Sequence, residues 1–186
     1  MKNYIIPTYN LGKEYTLEDA FNIVFSEETM IRTHGTSMSL SNWYNNKRTS
    51  SFIINVKKIP WVLRHLFCGD KMRVTVEQSR EDSENTIKVS NNIKMHFIGN
   101  RFFSIKSFFE LSKKDDYIYL NGEVICNAYL LPPMNHVAER YIISECKDQV
   151  TVYTNIVTDK FNNINIIDPV LIATSATTTS TATTVA

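Results

Sequence analysis

The sequence is poor in glycine and cysteine and has no long apolar run, so several common kinds of functional site and a membrane-spanning helix are not expected. It contains only 5 glycines in 186 residues, which argues against a glycine-rich loop for nucleotide phosphates. Its 3 cysteines, Cys68, Cys126 and Cys146, are far apart and odd in number, so free thiols in a reducing compartment are expected. No apolar run approaches the ~20 residues of a membrane-spanning helix, and the N-terminus lacks a signal-peptide segment. These absences together predict a cytoplasmic protein.

An excess of charge of one sign is also missing. The 20 lysines and arginines nearly balance 19 aspartates and glutamates, so nucleic acid is not an expected partner. Hydrophobic residues make up 43% of the chain, which is ordinary for a globular domain with its own core. We expect one domain over residues 1–165. A disordered tail rich in alanine, threonine and serine is expected over residues 166–186, without charge from Pro169 onward.

Motifs for bond chemistry are scarce. There is no nucleophile elbow and no paired-carboxylate motif. No histidine stands at metal-ligand spacing from another histidine or a cysteine, apart from His65 three residues before Cys68. Glu77 and His96 fall at outward strand positions, where they would be solvated rather than form an acid–base pair. The sequence therefore predicts a protein that is not an enzyme and uses no metal or cofactor.

A short amphipathic helix is predicted near the N-terminus. Thr16 can cap this helix, because Asp19 stands three residues later in capping-box position. The apolar residues that follow recur at helical spacing and form one stripe. The stripe consists of Leu17, Ala20, Phe21, Val24 and Phe25. A second helical segment is expected over residues 27–34.

From residue 42 onward the apolar residues alternate with polar ones, which is typical of strands. The links between the alternating segments are short and polar, which indicates hairpins and an antiparallel sheet. Strands of ten or more residues exceed the usual length and tend to coil, so a curved sheet is expected. These predicted strands cover residues 52–56, 72–77, 87–97, 101–111 and 117–131, and a short extended run within residues 3–15 precedes the helices.

A long helix is predicted over residues 134–157, directly after Pro132-Pro133. It is the only large element available to cover one face of the sheet. The predicted fold class is therefore α+β: a curved antiparallel β-sheet with short N-terminal helices and a long C-terminal helix that encloses an apolar cavity.

Four segments carry a resemblance to a known family. They are the helix Leu17–Ser26, Trp43 followed by Lys47–Phe52, the strand entry Gly69-Asp70-Lys71, and the strand Val74-Thr75-Val76-Glu77-Gln78. In this order they resemble the START-like (helix-grip, SRPBCC) superfamily, and within it the VASt-type sterol-binding domains. The resemblance implies binding, and in some members transport, of a sterol or another lipid in a cavity under the C-terminal helix, without catalysis.

Several aromatic and polar residues are candidates for the ligand site. Trp43 would form a cavity wall and Arg48 would anchor a polar head group, the alternative being a surface stack or a plain ion pair. Phe103 would line the cavity, and in the alternative interpretation the aromatic residues around it stack on single-stranded nucleic acid. The candidate ligand-binding residues are Trp43, Arg48, Phe52, Phe103, Tyr119, Val124 and Tyr141.

A strongly apolar segment over residues 59–68 lies between two predicted strands. One interpretation is a loop that touches membranes transiently, which would make the protein peripheral at membranes. The alternative is a short helix that packs on the edge of the sheet. The candidate contact residues are Pro60, Trp61, Leu63, Arg64 and Phe67.

Two other functions would use the same scaffold. A protein-interaction module would have its interior filled by its own side chains and an exposed apolar patch elsewhere. An enzyme would need at least two convergent ionisable side chains inside the cavity. The predicted function remains the binding of a lipid or sterol, which is the expected partner.

Overall fold

The structure is a computed structural model that describes residues 1–34, 38–55, 60, 71–96, 102–161 and 165–167. Three helices and eight strands make up this part of the chain. In chain order they are β1 (Lys2–Gly12), α1 (Leu17–Val24), α2 (Glu27–His34), β2 (Ser39–Leu40), β3 (Lys47–Asn55), β4 (Lys71–Ser83), β5 (Thr86–His96), β6 (Phe103–Lys114), β7 (Tyr117–Ala128), α3 (Met134–Lys160) and β8 (Asn165–Ile167).

The strands form one antiparallel sheet in the order β2-β3-β4-β5-β6-β7-β1-β8. All three helices pack against it, with α1 on β5 and β6, α2 on β3, and α3 on β7 and β1. The predicted α+β class is confirmed, because a long C-terminal helix and two short N-terminal helices accompany an antiparallel sheet in a helix-grip-like arrangement. No helix in the described ranges is long and apolar enough to cross a membrane.

The first helix forms as its cap and its stripe predict. The Asp19 amide donates to Thr16 Oγ1 at 3.1 Å, and the Thr16 amide donates to Asp19 Oδ2 at 3.3 Å, which completes the capping box. Phe21 is only 2% exposed, and its ring meets the ring of Phe25 at 5.1 Å between centroids. The Arg80 guanidinium of β4 lies 4.0 Å above the centre of the Phe21 ring. The apolar stripe therefore fixes α1 on the sheet.

Strands β2 and β8 were not predicted, and the other elements differ from the predicted ones mainly at their ends. Strand β7 ends at Ala128, before the predicted Leu131, and α3 continues past residue 157 to Lys160. Strand β8 includes residues 166 and 167, which the sequence placed in the tail, because this segment pairs with β1. Residues 168–186, the rest of the predicted tail, lie outside the described residues.

Candidate functional site

A pocket of about 410 Å³ lies between the sheet and helices α2 and α3. Its walls are largely apolar. The floor is formed by inward side chains of β4, β5 and β6, among them Val74, Val76 and Ile105, and α3 contributes Ile142 and Val150. Pockets that bind small ligands usually measure about 300–1,000 Å³ and are predominantly apolar, so this one has the size and lining of a ligand site.

The pocket reaches the middle of the sheet at Ile93. The residues paired with Ile93 on the neighbouring strands, Val76 and Ile105, are both buried. Ile93 itself lines the pocket and is only half-buried. Its side chain therefore borders open space where a packed core would cover it with other side chains.

Four polar side chains form a continuous row, three of them on the floor of the pocket and one behind its wall. Arg48, Gln78, Asn91 and Ser107 are direct cross-strand partners on β3, β4, β5 and β6. Each is at most 6% exposed. We call these four residues the polar row. Burial of a polar group costs free energy unless the group forms hydrogen bonds, and each member of the row bonds to its neighbour.

Hydrogen bonds connect the polar row from end to end. Arg48 Nε donates to Gln78 Oε1 at 2.5 Å, Gln78 Nε2 donates to Asn91 Oδ1 at 2.7 Å, and Asn91 Nδ2 donates to Ser107 Oγ at 2.8 Å. Gln78, Asn91 and Ser107 line the pocket directly. The apolar floor thus contains one polar strip, which is the usual composition of a site that holds the polar end of an apolar ligand.

Arg48 brings a positive charge to one end of the polar row. Its Nη1 donates to the Phe25 carbonyl oxygen at 2.9 Å, and its guanidinium carbon lies 4.5 Å from the centre of the Trp43 ring. Among the described residues, its Nη2 has no hydrogen-bond partner and the guanidinium forms no ion pair. Burial lowers the pKa of Arg48 to about 10, so the group is still charged at neutral pH.

Three of the other titratable groups that line the pocket are His34, Cys146 and Tyr141, and each is uncharged at neutral pH. His34 stacks on Phe52 with ring centroids 3.9 Å apart, and burial lowers its pKa to about 4. Burial also raises the pKa of the Cys146 thiol to about 12 and that of the Tyr141 hydroxyl to about 12. None of the three offsets the charge of Arg48.

Acidification is expected to destabilise the protein through His34. The folded pKa of about 4 lies below the ordinary value of 6.5, which the unfolded chain recovers. Between pH ~6.5 and the folded pKa, His34 is protonated in the unfolded state but not in the folded state. The free energy of unfolding therefore falls by about 2–3 kcal/mol as the pH is lowered through this range. Urea unfolding between pH 7.5 and pH 4 measures this fall.

The matched variant for this measurement is His34→Phe, which keeps an aromatic ring on Phe52 and cannot titrate. Its free energy of unfolding should fall by about 2–3 kcal/mol less than that of the parent over the same pH range. Identical pH profiles for the two proteins would contradict the role given to His34.

The structure brings some of the predicted ligand residues together and separates others. Phe52, Val124 and Tyr141 line the pocket. Arg48 lies directly behind the wall, where it contacts Gln78 and Phe25, both of which line the pocket.

Three of the predicted positions lie away from the pocket. Trp43 packs against Phe21 and Arg48 because it precedes β3 on the side of α1. Tyr119 lies on the outer face of β7, since its neighbours Ile118 and Leu120 are the buried ones and side chains alternate along a strand. Phe103 is an inward residue at the start of β6, and it packs at the margin of the core beyond the pocket.

The candidate membrane loop is hardly covered by the structure. Pro60 is described and half-buried. Trp61, Leu63, Arg64 and Phe67 lie outside the described residues, so their contact with membranes stays a prediction.

Sequence reasoning missed Gln78, Asn91, Ser107 and His34 as site residues. A signal for three of them was present. Gln78 continues the inward series of Val74 and Val76, and Asn91 and Ser107 occupy inward positions on the next two strands. Polar residues at inward positions on three consecutive strands are rare in a core without a function. Glu77 and His96 are exposed on the outer face, as predicted.

No protein-family model matches the sequence, and no curated protein matches it either. Among solved structures, the chain is similar to a conserved protein from Geobacillus kaustophilus, with a TM-score of 0.49 and 11% identity over 88% of this chain and 99% of that one. It is also similar to the Mll3558 protein from Rhizobium loti, with a TM-score of 0.47 and 12% identity over 83% of this chain and 96% of that one. Likenesses of this size leave the function open.

Proposed function

We propose that this protein is a START-like module that binds a hydrophobic ligand with a polar end, such as a sterol or another lipid, in the pocket under α3, without catalysis. The observation that carries the proposal is the pocket of about 410 Å³ with apolar walls and one buried polar row on its floor. A protein that stores no ligand gains nothing from open space beside buried polar side chains, since both reduce stability.

Burial of the apolar part of the ligand supplies the affinity. Each square ångström of apolar surface that leaves water contributes roughly 25 cal/mol. A ligand that buries about 300 Å² would gain roughly 7 kcal/mol before the losses of association are subtracted, which is enough for useful binding. The polar row would set which end of the ligand lies at the floor.

A protein-interaction module with a closed core is the second candidate. It would require the space between sheet and helix to be filled by the protein's own side chains. The half-buried Ile93 in the middle of the sheet favours the ligand-binding function instead.

Filling the pocket is expected to abolish ligand binding without unfolding the protein. In Ile93→Phe the larger side chain extends into open space, so the change in the free energy of unfolding should stay below about 1.5 kcal/mol. The lipid that co-purifies with the parent, identified by mass spectrometry, should be absent from the variant. Affinity for added oleate and cholesterol should fall at least about tenfold.

Ile125→Phe is the matched control. Ile125 is half-buried on the outer face of β7, so the same substitution there leaves the pocket unchanged. The control should carry as much lipid as the parent. Equal lipid content in the parent and in Ile93→Phe would place binding elsewhere, and a parent that neither carries lipid nor binds either added lipid would contradict the proposed function.

A further inference from the structure

We infer that the polar row selects a ligand whose polar end is an anionic hydrogen-bond acceptor, such as the carboxylate of a fatty acid, over a neutral alcohol. This inference rests on the proposed function and names the class of ligand. It follows from the direction of the hydrogen bonds in the row and from the buried charge at its end.

Arg48 fixes the direction of every hydrogen bond in the row. A guanidinium has only donors, so the Gln78 side chain must turn its oxygen toward Arg48 and its amide nitrogen toward Asn91. Asn91 must then accept with its oxygen and donate with its nitrogen to Ser107. Ser107 accepts through its hydroxyl oxygen, and its own proton is left to donate elsewhere.

The row consequently offers donors to the pocket. The hydroxyl proton of Ser107 and the second amide protons of Gln78 and Asn91 have no acceptor among the described residues. All three residues line the pocket, and their oxygens already accept a hydrogen bond from a neighbour. A carboxylate, which only accepts and has two oxygens, matches several donors at once.

The charge of Arg48 favours the same ligand. Arg48 is 6% exposed, and its guanidinium forms no ion pair with the part of the chain that the structure describes. Glu145, the carboxylate among the described lining residues, is on α3 and exposed. An anion bound to Asn91 would be separated from the positive charge by Gln78 alone, and one bound to Ser107 by Gln78 and Asn91, in surroundings of low polarity that strengthen the attraction.

The remaining pocket has room for a hydrocarbon chain. Beyond the polar row, the inward residues of β4 that line the pocket are apolar from Val76 through Val74 to Met72, six residues from Gln78 and hence roughly 20 Å along the strand. Val76, Ile93 and Ile105 lie in the first layer beyond the row, and Val74 and Met95 in the second. The head group at Ser107 and a tail along the strands would therefore fill the pocket together.

The test compares three lipids that share one hydrocarbon chain and differ in the head, together with a neutral sterol. Delipidated full-length protein is titrated at pH 7.5 with oleate, oleyl alcohol and methyl oleate, and separately with cholesterol. Oleate should bind at least about tenfold more tightly than oleyl alcohol. Equal affinity for all of these lipids would overturn the inference and leave the proposed function intact, whereas absence of any binding would count against the proposed function itself.

Gln78→Glu is the decisive variant because it reverses the direction of the hydrogen bonds between residues 78, 91 and 107. A carboxylate at position 78 can only accept, so Asn91 must donate to it and use its oxygen to accept the Ser107 proton. The pocket then faces the lone pairs of Ser107 in place of its proton, and the charge of Arg48 is neutralised. Oleate affinity should fall at least about tenfold, whereas oleyl alcohol, which can donate, should change less than about threefold.

Two further variants keep the test interpretable. Asn92→Asp makes the same change of charge on the outer face of β5, beside the Gln78–Asn91 pair, and should leave both affinities unchanged. Ser107→Ala removes only the donating hydroxyl and should weaken oleate about tenfold while affecting oleyl alcohol less, even if Gln78→Glu fails to fold. A retained preference for oleate in both Gln78→Glu and Ser107→Ala would overturn the inference.

Discussion

Gln78→Leu is expected to lower the free energy of unfolding by about 3–5 kcal/mol. Leucine has nearly the same size as glutamine, so the substitution neither opens a cavity nor overfills the floor. It removes both hydrogen bonds in the centre of the polar row and leaves the Arg48 Nε proton and the Asn91 Oδ1 oxygen without partners. Both groups are buried, and the charged donor without a partner destabilises the folded state more than the neutral acceptor does.

Urea unfolding of the parent and the variant measures this effect. Gln149→Leu is the matched control, because Gln149 is exposed on α3 and its replacement should change the free energy of unfolding by less than about 0.5 kcal/mol. Gln78→Glu should be affected much less than Gln78→Leu, since it keeps an acceptor for Arg48. A loss below about 1 kcal/mol in Gln78→Leu would indicate that the polar row contributes little to stability.

Phe21→Ala is expected to lower the free energy of unfolding by about 3–5 kcal/mol as well, for a different reason. The Phe21 ring is 2% exposed and lies between Phe25, Trp43 and the Arg80 guanidinium. Its removal leaves a cavity where α1 meets the sheet, and Arg80 loses the ring beneath it. The substitution therefore weakens the attachment of the whole first helix.

Thermal and urea unfolding test the role of Phe21 against Phe102→Ala. Phe102 is 40% exposed, so its truncation should change stability by less than about 1 kcal/mol. Similar losses for the two variants would show that α1 is attached by contacts other than the Phe21 ring.

Local patterns were sufficient to predict most elements of the fold. The capping box at Thr16 and the apolar stripe through Phe21 specify α1 without reference to the rest of the chain. Alternation specified the strands because one face of the sheet is buried under the helices. The ends of β7 and α3 were predicted less well, since propensity changes gradually there and tertiary contacts decide where an element stops.

The polar row could be predicted only in part, because its members are brought together by strand register. Two-residue turns join β4 to β5 and β6 to β7, so the alignment of Gln78 with Asn91 follows from the turn. The alignments of Arg48 with Gln78 and of Asn91 with Ser107 depend on longer connections, residues 56–70 and 97–102, whose length does not set a register. Arg48 was therefore identified as a site residue without its partners.

The position of Tyr119 was predicted wrongly for a related reason. On β7 the buried series runs through Ile118, Leu120, Val124 and Cys126, which places odd-numbered residues on the outer face. The alternation of apolar residues along β7 in the sequence already assigns Tyr119 to the outer face, and the chemistry of its hydroxyl carries no information about the face.

The polar row also distinguishes the native alignment of the strands from its nearest competitors. A shift of one strand by two residues keeps every apolar side chain on the inner face, so burial alone hardly opposes it. Such a shift of β5 would place Val89 or Ile93 opposite Gln78. The side-chain amides would then lack hydrogen-bond partners in apolar surroundings, which lowers the free energy of unfolding by about 1–3 kcal/mol for each group. Four polar residues at matching positions thereby make misaligned hairpins unstable during folding.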